Sequence, residues 1–277
     1  MKKSLFKVVV LLLTFLWSNT TFSQFNETIR ADRPGEALTP FSVGARVLQV
    51  QAGLGYLKYS KLDYELSDAG TSVVGNSFLS SLVVRMGLTE RFELSAGMGY
   101  TNGKIENTFF STNEDGISAL SFGLRSTIFV GEGWIPSVGF LVDFGLPWLS
   151  GEYDSRYIRP SFALLTNQRM GEKFGLTTNW GLLWNGDVAS PFAKYVINVS
   201  YDINAKLSVF LEPYGYIQEG LWEPHIDGGA GYLITNNLQL DLSAGYGAGE
   251  NEYRDWFIIA GVSWRIRFKE KHMKNDE

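Results

Sequence analysis

Three stretches of the chain alternate, residue by residue, between large apolar side chains and small or polar ones. Phe92, Leu94, Ala96, Met98 and Tyr100 fall on one side of an extended backbone, and Glu93, Ser95, Gly97, Gly99 and Thr101 on the other. Leu238, Leu240, Leu242, Ala244 and Tyr246 oppose Gln239, Asp241, Ser243 and Gly245 in the same way. Ile258, Ala260, Val262, Trp264, Ile266 and Phe268 oppose Ile259, Gly261, Ser263, Arg265 and Arg267. A period of two is that of a strand with two unlike faces. Carried along the chain, it predicts strands over residues 44–57, 77–87, 92–102, 116–129, 136–147, 158–169, 174–184, 191–203, 207–217, 224–234, 238–248 and 256–268.

The connections alternate too. Residues 88–91, 170–173, 203–206 and 235–237 are tight polar turns, whereas 60–76, 103–115 and 149–157 are longer and rich in Asp, Glu, Ser and Asn. A soluble sandwich or barrel also alternates, but large aliphatic residues fill its core. Here the partners of the large apolar residues are Gly, Ser, Thr and isolated charges, which predicts lipid outside and a polar lumen inside. The expected fold is therefore all-β: a transmembrane antiparallel up-and-down barrel of about 12 strands over residues 44–268. The short turns and both mature termini are expected on the periplasmic side. Tyr56, Tyr59, Tyr100, Trp148, Trp184, Trp222 and Trp256 near the long loops, and Phe92, Phe129, Trp134, Phe174 and Phe268 near the short turns, are the expected aromatic girdles.

Ahead of the barrel, Lys2, Lys3 and Lys7 precede an apolar run from Val8 to Trp17 that is too short to cross a bilayer as a helix. With Thr21 and Ser23 ahead of the cut, residues 1–23 read as a signal peptide, which implies export and, with the barrel, the outer membrane of a Gram-negative cell. Residues 24–43 form a polar periplasmic leader in which Pro34 and Pro40 forbid regular pairing. The leader is a candidate plug through Asp32, Arg33 and Pro34. Residues 269–277 are a charged periplasmic tail.

Composition narrows the chemistry. There is no cysteine for a disulfide or a lipid anchor, and a net charge of −5 leaves no basic surplus for nucleic acid. No clustered histidines and no glycine loop opening a helix are present, so no metal and no cofactor is expected. The register turns Arg85, Glu93, Arg125, Asp143, Arg159, Lys194, Glu212, Asp227, Asp241, Arg265 and Arg267 inward, either as paired charges filling the lumen or as the lining of a wet path. A lipid hydrolase would need a lipid-facing Ser and His. Of the two histidines, His272 lies in the tail and His225 is expected to point inward.

Ala31-Asp32-Arg33-Pro34-Gly35-Glu36, then Thr39-Pro40-Phe41, then Val47-Leu48-Gln49-Val50-Gln51-Ala52-Gly53-Leu54-Gly55-Tyr56 carry a resemblance to a family. It is the outer-membrane transporter family labelled for the MetA pathway of phenol degradation, common in the Bacteroidetes. The resemblance implies a passive transporter or channel for small molecules, hydrophobic ones among them. No catalytic residue carries over. Outer-membrane lipid, an unidentified small-molecule substrate and, through the aromatic ending of the last strand, the barrel-assembly machinery are the expected partners. A structural or adhesive barrel with a sealed lumen is the alternative, with an outer-membrane lipid hydrolase behind it.

Overall fold

A computed structural model describes residue 29 and residues 31–63, 71–249 and 253–268. The signal peptide, the start of the leader and the charged tail lie outside the described residues. Among those described, the chain forms twelve strands: β1 (Val47–Asp63), β2 (Thr71–Gly87), β3 (Phe92–Glu106), β4 (Ser111–Phe129), β5 (Ser137–Gly145), β6 (Arg159–Met170), β7 (Phe174–Leu183), β8 (Phe192–Asp202), β9 (Leu207–Gln218), β10 (Leu221–Thr235), β11 (Leu238–Ala248) and β12 (Arg254–Arg267). Each pairs antiparallel with its neighbours in sequence, and β1 pairs with β12, from Val47↔Arg267 to Ser60↔Arg254, to close the sheet. Closure leaves no unpaired edge, the condition for a sheet to persist in lipid.

The side chains are distributed inside out. Facing outward, Leu94, Leu240, Leu242 and Phe122 are 46%, 46%, 51% and 58% exposed, whereas the inward-facing Arg85, Glu93 and Glu212 are 2%, 1% and 0% exposed. A water-soluble barrel would reverse this, because burying charge while exposing a belt of Leu and Phe costs free energy twice. Lipid outside removes the conflict.

Strand lengths differ from the periodicity at one end. Residues 103–106 and 111–115, read from the sequence as loop, continue the ladder to Glu106↔Ser111, and the Asn107 Oδ1 accepts from the amides of Phe109 and Phe110 at 2.7 and 2.8 Å to close the turn. β1 and β2 likewise run on to Asp63↔Thr71. These extensions carry polar residues on both faces, so alternation vanishes although the backbone pairing, which needs no side-chain pattern, continues. At the same end β9 and β10 join through Glu219 and Gly220, whose φ values of 52° and 91° make a tight hairpin. Tyr59, expected in an aromatic girdle, turns inward instead: it pairs in register with Asp255 and stacks on Tyr253 at 6.3 Å between ring centroids.

β1 starts at Val47 rather than 44, because Gly44 and Arg46 have φ values of 95° and 61° that no strand accommodates. This corner is pinned to the sheet: the Arg46 amide donates to the Gly87 carbonyl at 3.1 Å, and the Phe268 amide to the Arg46 carbonyl at 3.0 Å. A Cβ on Gly87 would lie 1.7 Å from the Gly44 carbonyl oxygen. Gly87→Ala is therefore expected to destabilise the folded barrel by about 1–3 kcal/mol, read as a lower urea midpoint in detergent; an unchanged midpoint would mean that the corner is not fixed.

Candidate functional site

The leader enters the barrel at the end that carries the chain termini, and its polar groups meet the inward residues of seven strands. Asp32 accepts from Arg85 of β2 at 3.0 Å and from Arg125 of β4 at 2.5 Å. Glu93 of β3, opposite Arg125 in the ladder, accepts from Arg85 at 2.8 Å and receives the Val43 amide at 2.8 Å. Two carboxylates and two guanidiniums thus form a neutral cluster whose side chains are at most 6% exposed. Arg85 and Arg125 also donate to the carbonyls of Phe41 and Thr39 at 3.2 and 2.9 Å, and Thr127 Oγ1 to that of Pro40 at 2.9 Å. These bonds satisfy backbone groups that Pro34 and Pro40 keep out of any ladder.

Arg33 reaches the wall on the other side of the β1–β12 seam, where its guanidinium meets Asp241 of β11 at 3.3 Å and its carbonyl accepts from Gln239 at 2.9 Å. Its seat is cut by two glycines paired across the β1–β12 seam. A Cβ on Gly53 or Gly261 would lie 2.5 or 2.4 Å from the guanidinium. Further on, Glu212 of β9 accepts the amides of Glu36 and Ala37 at 2.6 and 3.0 Å, Glu36 pairs with Lys194 of β8 at 2.6 Å, and Asn179 of β7 exchanges two hydrogen bonds with Leu38 at 2.7 and 2.8 Å.

Of the residues singled out from the sequence, Asp32, Arg33, Arg85, Glu93, Arg125, Lys194, Glu212 and Asp241 meet in this contact. Pro34 lies at its edge, lining a cavity described below. Arg265 instead donates to Asn237 Oδ1 at 3.0 Å in the β10–β11 turn, and Arg267 is exposed at the terminal rim. Asp143 and Arg159 face inward on β5 and β6, where Arg159 donates to the Leu146 carbonyl at 3.4 Å, away from the leader. Asp227 lies opposite Glu212 in the ladder, 3% exposed. Glu36, Thr127, Asn179 and Gln239 were not singled out; three of them occupy inward strand positions, so the parity that selected the charged residues would have found them had neutral polar residues been counted.

His225 is on the lumen side, stacked on Tyr214 at 4.9 Å, with one ring nitrogen 3.0 Å from Asp255 and the other 3.2 Å from the Glu223 carbonyl. A base acting on membrane lipid would have to face outward. Among the described residues, no three His, Asp or Glu side chains converge to hold a metal ion.

Beside the leader a cavity of about 660 Å³ extends from the β4–β5 turn up to Phe210. The leader forms one side of it and the inward faces of β5–β9 the other.

A closed, inside-out, twelve-stranded sheet defines an outer-membrane β-barrel. The chain belongs to the family described as "Putative MetA-pathway of phenol degradation", whose pattern matches residues 31–266 and so includes the docked part of the leader. Its fold is similar to that of an outer membrane channel from Pseudomonas putida F1, at 14% identity and a TM-score of 0.56, covering 86% of this chain and 100% of that one. It is also similar to the transport unit of the autotransporter AIDA-I from Escherichia coli (13% identity, TM-score 0.56, 91% and 96% covered) and to the NanC porin (14%, 0.52, 79% and 100%). No curated protein matches it in sequence.

Proposed function

We propose that this protein is a passive outer-membrane channel for small molecules, hydrophobic ones among them, whose N-terminal leader gates the lumen. The observation that carries this reading is the leader's position: residues 32–43 contact inward-facing side chains of β2, β3, β4, β7, β8, β9 and β11. A twelve-stranded barrel is wider than the eight-stranded kind that its own side chains fill, so a segment of chain fits inside. The family to which the chain belongs and its fold likeness to an outer membrane channel support the same reading.

In this reading residues 1–23 are removed on export and the end carrying the termini faces the periplasm. The barrel-assembly machinery inserts the chain into lipid through β12 and the aromatic Phe268 that follows it, and residues 269–277 are a charged periplasmic tail. The leader motif at 31–36 points to a Bacteroidetes-type host.

Deleting residues 24–40 from the mature protein is expected to raise single-channel conductance in planar bilayers several-fold. The paired charges around Asp32 favour a second reading, a structural barrel with a sealed lumen. A correctly folded deletion variant that stays silent would select it.

A further inference from the structure

The leader pairs with β7–β9 through Asn179, Lys194 and Glu212, and between those contacts and the periplasmic end the inward faces of β5–β9 line the cavity of about 660 Å³ instead. There the inward side chains are Ser137, Asn167, Thr177, Asn198, Ser200 and Ser208, all of them hydroxyls or amides. The two guanidiniums that reach the lining are already matched, Arg33 by Asp241 at 3.3 Å and Arg169 by Asp202 at 2.7 Å. Among the described residues no carboxylate and no lysine lines the cavity. Its upper margin is the ring of Phe210, wedged between glycines: a Cβ on Gly35 of the leader or on Gly229 of β10 would come within 2.8 or 2.7 Å of that ring. Gly35, with φ of 90°, is where the leader turns past it.

We propose that this chamber is a binding site for an uncharged, hydroxylated ring compound, which packs its ring on Phe210 and hydrogen-bonds to the neutral side chains of β6–β8. The proposal rests on the channel reading and specifies what the channel holds. Three solute classes fare differently here. An ion loses hydration and meets only charges that are already paired. Asn167 donates to Thr177 Oγ1 at 2.8 Å and Ser200 to the Gly175 carbonyl at 3.5 Å, and a bare hydrocarbon would strip water from the donor and acceptor capacity these groups still hold without offering a hydrogen bond in return. A ring bearing hydroxyl groups satisfies both surfaces. The volume lies within the range of small-molecule sites. Aromatic alcohols and sugars share this chemistry, since both offer a flat apolar face and hydroxyl groups.

The test uses the mature protein with its leader intact, in detergent, and equilibrium dialysis of four probes: benzyl alcohol, glucose, benzoate and benzylammonium. The expected result is saturable binding of benzyl alcohol or glucose, about tenfold or more tighter than that of either ion. Binding of the alcohol alone assigns an aromatic ligand, and of glucose alone a sugar. Thr177→Asp places a carboxylate in the chamber without touching a leader contact, and is expected to reverse the preference toward benzylammonium. Ser200→Asp is the second variant should the first fail to fold. Wild-type protein that binds either ion as tightly as the neutral probes, or that binds no neutral probe while the leader-deleted form conducts, would overturn the site. A leader-deleted form that stays silent sinks the channel reading instead, whatever the dialysis shows.

Discussion

Asp32→Asn is expected to release the leader and open the barrel to nearly the conductance of the leader-deleted form. Asp32 balances one of the two guanidiniums, and its replacement keeps the volume while leaving Arg85 and Arg125 to share Glu93 alone. Removing one partner from a buried ion pair costs about 3–5 kcal/mol. The protein can relieve that cost by unfolding or by letting water reach the arginines. Unfolding must break twelve ladders as well as the leader's contacts, whereas leader release breaks only those contacts and leaves every ladder intact, so release comes first. The expected signature is raised conductance and protease cleavage between residues 31 and 43, with little change in the thermal midpoint in detergent. A silent variant that instead melts cooperatively at a much lower temperature would mean that the leader is part of the barrel's fold and not a gate.

The second large effect tests sidedness. Leu240→Arg places a charge on the apolar face of β11, where Leu240 is 46% exposed to the surroundings of the barrel. Near the middle of the bilayer that substitution costs about 2–4 kcal/mol. Ser200→Arg, on the inward face of β8 beside the cavity, has room and water and is expected to cost under about 1 kcal/mol. Urea unfolding of both variants in lipid vesicles measures the difference. Equal cost at the two positions would place the register or the lipid face wrongly.

The barrel was legible because lipid imposes a rule on every spanning residue. Leu94, Leu240 and Val262 meet hydrocarbon while Glu93, Asp241 and Ser263 do not, so each strand records its own register. Beyond the hydrocarbon the rule lapses. Residues 103–106 and 111–115 pair as strand without alternating, and Tyr59 faces the lumen although its neighbourhood reads as girdle. The leader's contacts were legible only as charge. Asp32 and Arg33 stand out as opposite signs in a polar segment, but nothing local says that Asp32 meets Arg85 and Arg125 while Arg33 reaches Asp241, 208 residues away. The amides of Glu36, Ala37 and Leu38 that seek Glu212 and Asn179 leave no trace in side-chain type, because every residue except proline carries that donor.

The seam between β1 and β12 joins the two ends of the barrel sequence, so closure waits for the last strand to be made. The leader's contacts with β2, β3 and β4 wait for much less: Val43 and Glu93 are separated by 50 residues. Shorter chain separation means less entropy lost in closing the loop, so these contacts can form while later strands are still unpaired. A nascent sheet that meets its own N-terminal segment this early gains a surface to curl around, and polar inward residues find partners before the wall is complete. The segment docked inside the finished barrel is thereby placed to act as an internal template during its assembly.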